Sequence, residues 1–150
     1  MRLRSLSLRR RAATLAEAAI SYSVVCLLTI GVIVFALGIF RYEELAGLAR
    51  EGARWAAVHG GQYHQETGNA LATPQTVYNT AILPRAVGLD TSKLSYTVTW
   101  DDPSEMPVFN DVNGNVVTNK VTVTLTYTWI PELYFSTMTL RSTSVMPVQY

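Results

Sequence analysis

The sequence predicts an α+β chain that crosses a membrane once. A long N-terminal helix, apolar in its first half and amphipathic in its second, should pack against a small antiparallel β-sheet. Three observations predict this. Residues 18–40 form 23 consecutive uncharged, mostly apolar residues. The helical pattern continues past them to Val58 without a proline. Towards the C-terminus, "LSYTVTW" and "VTVTLTYTW" alternate apolar and polar residues at period two.

The apolar run comes first. A spanning helix needs about 20 residues, at about 1.5 Å of rise each. A secretory signal has a shorter apolar core, of about 7–15 residues, and a small-residue cleavage site. This run is longer and leads into "FRYEELAGLAREGARW", which has no such site. It therefore reads as a retained span. Arg2, Arg4, Arg9, Arg10 and Arg11 all precede it. An arginine excess on one side places that side in the cytoplasm and residues 41–150 outside. Residues 13–150 carry the other seven Lys/Arg against eleven Asp/Glu. An acidic remainder behind a basic N-terminus does not describe a nucleic-acid binder. The one cysteine, Cys26, lies within the apolar run, so no internal disulfide can form.

Beyond the run, Leu45, Leu48, Gly52 and Trp55 recur on one helical face. Glu51 and Arg54 stand three apart, at pairing distance on a helix. Small residues crowd this half: Ala46, Gly47, Ala49, Gly52, Ala53, Ala56 and Ala57. Each either favours helix or faces the chain's own sheet; together they would also let another helix approach closely. Gly60-Gly61 is the stop, so one helix is expected from about Ala13 to Val58. Residues 59–73 read as a polar loop. A short helix should follow from about Pro74 to Val87, with Thr73 as its cap, Pro74 in its first turn and Pro84 kinking it. The strands then fall at 94–100 and 121–129, with a third, weaker one within 136–148. The apolar faces of the sheet need a cover, and the second half of the long helix supplies it.

Few residues carry chemistry. His59 and His64 stand five apart, without the Cys or carboxylate pattern of a zinc site. "DVNGN" at 111–115 opens like a calcium loop, but Val116 and Thr122 stand where the glycine and the bidentate glutamate belong. It reads instead as a turn about Asn113-Gly114. Asp101, Asp102 and Glu105 read as a solvated acidic loop. No nucleophile, phosphate-binding or dinucleotide signature is present, so the chain does not read as an enzyme.

Glu17 is the exception to a quiet inventory. It is the single charge between Ala12 and Phe40. A carboxylate at membrane depth needs a partner, and no basic residue lies between Ala12 and Phe40 to provide one. The partner must be a terminus, another chain or an enzyme that handles this segment. Basic residues, a small residue, a glutamate about five positions on and a long apolar helix together resemble a type IV prepilin. The combination of "RRRAATLAEAAI" with "REGARWAAVHG" at 50–60 is similar to the TadE-like pseudopilins of tight-adherence (Flp) systems. The resemblance is strong over residues 9–60 and architectural beyond them.

That resemblance implies a pilin-like fold and a leader, residues 1–12, that a prepilin peptidase removes. Arg9, Arg10 and Arg11 would hold the leader in the cytoplasm, and the cut would fall between Ala12 and Ala13. Glu17 would then be the fifth residue of the mature chain. Ala12 stands where such prepilins usually carry glycine. A cut after Arg11 would make Glu17 the sixth. Residues 13–58 would form the long helix, spanning at about 18–40, and residues 59–150 the extracytoplasmic domain. Arg50, Glu51, Gly52 and Arg54 match the family's segment after the membrane. Ser21, Tyr22 and Ser23 interrupt a stretch that is usually aliphatic, and could bond to helix carbonyls or to neighbours. The implied partners are other pilin and pseudopilin subunits, the prepilin peptidase, the inner-membrane assembly platform and membrane lipid, with no cofactor. The alternative is an unprocessed single-pass anchor carrying an extracytoplasmic binding or adaptor domain.

Overall fold

A computed structural model describes the backbone of residues 3–131 and 136–150, and the side chains of residues 14–131 and 136–150. The chain divides into two compact units, Met1–Gly38 and Ile39–Tyr150.

The first helix, α1, spans Leu3–Val58. It starts well before Ala13, so the expected start is corrected. The basic residues ahead of Ala13 contain no proline or glycine, and nothing local breaks the helix there. The first unit consists of the apolar helix. Its large side chains, from Leu15 to Leu37, are exposed, and none of its most apolar window is buried. Two hydroxyls are satisfied within the helix: Ser23 Oγ donates to the Ala19 carbonyl and Thr29 Oγ1 to that of Val25, each at 2.8 Å. Such back-bonding lets a hydroxyl sit in an apolar surround.

The second unit is the α+β domain. Its central strand, β4 (Lys120–Trp129), pairs antiparallel with β1 (Leu94–Trp100) on one side and β5 (Met138–Pro147) on the other. The register runs from Leu94 opposite Tyr127 to Trp100 opposite Val121, and from Lys120 opposite Pro147 to Trp129 opposite Met138. All three expected strands form. β4 follows the period-two pattern throughout: Val121, Val123, Leu125, Tyr127 and Trp129 are buried. β5 carries no buried residue, which is why its pattern is weak in the sequence.

The part of α1 within this unit covers the sheet, as expected. Leu45, Leu48, Ala49, Gly52, Ala53, Ala56 and Ala57 are buried at helical spacing. Gly52 shows why small residues are needed. A Cβ there would lie 3.1 Å from Ile82 Cδ1 and 3.4 Å from Val123 Cγ1. Most of the small residues therefore serve the chain's own core.

Residues 59–73 are not a plain polar loop. They hold a short helix, α2 (Gly61–Thr67), closed by Gly68 at φ +73. A helix of two turns leaves little periodic signal among so many polar residues. Next, α3 (Pro74–Val77) is capped by Thr73, whose side chain accepts from the Thr76 amide, with Pro74 in its first turn. The helical path then widens into a π turn over Tyr78–Ile82 and tightens to a 3₁₀ turn over Leu83–Arg85. The Leu83 amide bonds five residues back, to Tyr78. Pro84 has no amide to donate and its ring crowds the preceding turn, which explains the change of pitch.

Two further strands, β2 (Val108–Asn110) and β3 (Val116–Thr118), form a hairpin around the Asn113-Gly114 turn. Gly114 sits at φ +80, a conformation glycine adopts at low cost. The turn was expected; the flanking strands, three residues each, are too short to register as a pattern.

Candidate functional site

The candidate assembly segment lies at the start of α1. The backbone of Arg9, Arg10, Arg11, Ala12 and Ala13 is helical, and their side chains lie outside the described ones. Glu17 is exposed on the helix surface. Its neighbours Leu15 and Ile20 are exposed as well. The carboxylate thus sits on an open apolar helix, where a partner from another molecule can reach it.

The segment Arg50, Glu51, Gly52 and Arg54 is divided between faces of α1. Gly52 is buried between Ile82 and Val123. Glu51 lies 3.9 Å from Arg54, the expected pair, and 3.3 Å from Arg85 on the 3₁₀ turn. Arg50 and Arg54 point to solvent. Gly52 and Glu51 therefore fasten α1 to the segment after α3, which accounts for a glycine and an acid side by side.

Two polar residues near the start of the second unit's part of α1 do similar work. Arg41 Nη1 donates to the Gly88 carbonyl at 3.3 Å, and its guanidinium lies 5.9 Å from the Trp129 ring centroid. Glu44 Oε1 accepts from the Gly88 amide at 2.8 Å. Gly88 leaves room for that carboxylate: a Cβ would lie 2.9 Å from Glu44 Oε1. Nothing in the spacing of Arg41, Glu44 and Gly88 announces this clamp, because Gly88 lies more than forty residues from the other two.

The two histidines have separate partners. His59 donates from Nδ1 to the Trp55 carbonyl at 2.8 Å and stacks on the Trp55 ring at 4.0 Å. It thereby satisfies a carbonyl at the C-terminal end of α1. His64 lies within α2, not in a loop, and bonds through Nδ1 to the Asn69 carbonyl. Among the described residues no group of three His, Cys, Asp or Glu could hold a metal ion. In the 111–115 turn, Asp111 Oδ1 accepts from the Asn113 and Asn115 amides, each at 2.8 Å. The Asn115 backbone bond, ahead of the other donors, holds the Asp111 carboxyl below its ordinary value.

The acidic loop at 101–105 is only partly solvated, which corrects the reading of Glu105. Its side chain is 7% exposed. Burial pushes its carboxyl up to about 7, against a hydrogen bond from the Ala72 amide. Oε2 is buried without a hydrogen-bond partner. Among the described residues Glu105 is the one non-glycine at positive φ, +55. Its carbonyl accepts from the Gly61 amide at 2.8 Å. A Cβ on Gly60 would come within 2.6 Å of that same carbonyl oxygen. Glu105 is thus locked into the junction between α1 and α2.

Asn119 went unnoticed in the sequence and is fully buried. Its side chain accepts from the Asp102 amide at 3.0 Å and donates to the Asp102 carbonyl at 3.1 Å. Its backbone bonds to Pro107 and Val148, each at 2.9 Å. One residue between β3 and β4 therefore ties the acidic loop to the C-terminal tail.

Comparison of the chain with family models, with curated proteins and with solved structures finds no match in any of the three.

Proposed function

We propose that this chain is a TadE-like minor pseudopilin of a tight-adherence type IV pilus, made as a precursor and cut by a prepilin peptidase between Ala12 and Ala13. Glu17 is the observation that carries the reading. It stands five residues into the chain so produced, exposed on an apolar helix. Among the described residues one helix is long and apolar enough to cross a membrane. Its continuation packs on a small antiparallel sheet, an architecture compatible with a pilin.

Cleavage creates an ammonium group at Ala13. In a helical stack of subunits, Glu17 of one meets the ammonium of the next. Both charges lie in a low-dielectric bundle, and a misregistered subunit leaves both unpaired. The carboxylate serves register and recruitment more than stability. The protein acts in the bacterial inner membrane, with its N-terminus cytoplasmic and its α+β domain outside.

Intact mass of the membrane-extracted protein tests the processing step. A chain lacking residues 1–12 supports it. A chain that keeps its arginines supports an unprocessed membrane-anchored adaptor instead. The assembly role is tested by Glu17→Ala, which should reduce piliation and leave membrane insertion intact. Normal piliation in that variant rules the role out.

A further inference from the structure

The tip of the β2–β3 hairpin places an asparagine directly before a glycine. Of the asparagines in the chain, only Asn113 is followed by glycine. Asn113 and Gly114 are both exposed, and Val112 beside them is fully so. A Cβ on Gly114 would meet no atom within 4 Å. Water therefore reaches the peptide bond between Asn113 and Gly114 from open space.

Such a pair can react with itself. The Asn113 side chain ends in an amide carbon that the Gly114 nitrogen can reach, closing a cyclic imide. The two groups are held close by the chain, and glycine has no side chain to hinder the approach. The nitrogen bonds to Cγ, the bond from Cγ to Nδ2 breaks, and Nδ2 leaves as ammonia with the Gly114 amide proton. Water then adds to one imide carbonyl and breaks its bond to nitrogen. Opening at the side-chain carbonyl gives aspartate. Opening at the backbone carbonyl gives isoaspartate, with the side-chain methylene now in the main chain. The only co-reactant is water.

Asp111 holds both reacting groups. The Gly114 amide donates to the Asp111 carbonyl at 2.9 Å. The Asn113 side chain bonds to the Asp111 carboxylate. That carboxylate also accepts the Asn113 and Asn115 amides, each at 2.8 Å. The Asp111 amide closes the turn on the Asn115 carbonyl at 2.9 Å. A nitrogen whose proton is held in a hydrogen bond gives it up less readily, and a tethered side chain is not free to swing onto it. The reaction therefore waits on local opening of the turn, which Asp111 resists.

We infer that Asn113 is a site of self-modification, deamidation through a cyclic imide formed with Gly114, and that Asp111 sets its pace. The product puts a carboxylate beside Asp111, so like charges meet where an amide had donated. In the isoaspartyl form the turn also gains a backbone carbon, and the spacing that lets Asp111 meet Asn115 is lost. An older molecule thus carries a different hairpin tip from a newly made one. The inference rests on the hairpin alone and is independent of the pseudopilin reading.

Mass spectrometry of the full-length protein, aged in detergent micelles at mildly alkaline pH, tests it. Tryptic cleavage after Lys93 and Lys120 leaves Asn110, Asn113, Asn115 and Asn119 in one peptide, residues 94–120. Fragmentation of that peptide locates the amide that has become a carboxyl. Conversion should appear at Asn113, in aspartyl and isoaspartyl forms, while the other three stay intact. Asp111→Ala should raise its rate several-fold. The parent chain in guanidinium chloride should likewise convert several-fold faster than the folded parent. Gly114→Ala should suppress conversion, folded or unfolded. Asn113 intact in both the Asp111→Ala variant and the denatured parent overturns the site. Conversion spread evenly over the four asparagines overturns it too. A rate in Asp111→Ala equal to that of the folded parent overturns the part given to Asp111.

Discussion

Replacing Glu105 by glutamine should abolish a pH dependence of stability that its burial creates. The carboxyl is 7% exposed, and one of its oxygens has no hydrogen-bond partner. Its pKa rises from an ordinary 4.5 to about 7 in the fold. Between those values the folded chain holds more of the proton than the unfolded chain does. Stability therefore falls as pH rises through this window and levels off above about pH 7. At about 1.4 kcal/mol per pH unit, the displacement amounts to roughly 3 kcal/mol. Glu105→Gln keeps the acceptor for the Ala72 amide and has nothing to ionise. Any offset of the variant from the parent is constant with pH, since its amide, as poorly partnered as the carboxylic acid, does not ionise. The offset does not matter, because the test is its change with pH. Urea unfolding of the full chain in detergent micelles, followed by tryptophan fluorescence, gives both curves. The difference in favour of the glutamine variant should grow by roughly 3 kcal/mol from pH 5 to pH 8. A difference that stays flat across that range would show that Glu105 reaches water in the fold and would refute the reasoning.

Other substitutions probe the packing in the same assay. Gly60→Ala should cost more than about 2 kcal/mol, because its methyl would meet the Glu105 carbonyl oxygen at 2.6 Å and Val148 Cγ1 at 2.7 Å, and backbone cannot yield cheaply. Gly47→Ala, where no atom lies within 4 Å, should stabilise α1 by about 0.5–1 kcal/mol. Asn119→Ala should cost about 2–3 kcal/mol, since it strands the Asp102 amide and leaves the Asp102 carbonyl with its bond from the Glu105 amide at 3.2 Å. Arg85→Ala should change stability by less than about 1 kcal/mol, because its guanidinium meets Glu51 from a side chain that is 54% exposed and screened by water.

Patterns carried by consecutive residues were legible without a structure. The apolar run, the amphipathic half of α1, the two alternating strands, the Thr73 cap and the Asn113-Gly114 turn all follow from chemistry within a few residues of one another. The candidate assembly segment was legible for the same reason. A lone carboxylate in an apolar run stands out against its neighbours wherever the rest of the chain goes.

Tertiary structure decided the rest, because the contacts concerned join residues far apart in the chain. Glu105 and Asp101 look alike as a solvated acidic pair until Gly60, Gly61 and Ala72 close over one of them and not the other. Asn119 is an unremarkable polar residue until Asp102 and Val148 surround it. Arg50, Glu51, Gly52 and Arg54 form one motif in the sequence, but helical geometry sends Gly52 into the core, Glu51 towards Arg85, and the two arginines outwards. Local periodicity determines which elements form; only packing across the whole domain determines which polar groups lose water and which apolar ones keep it.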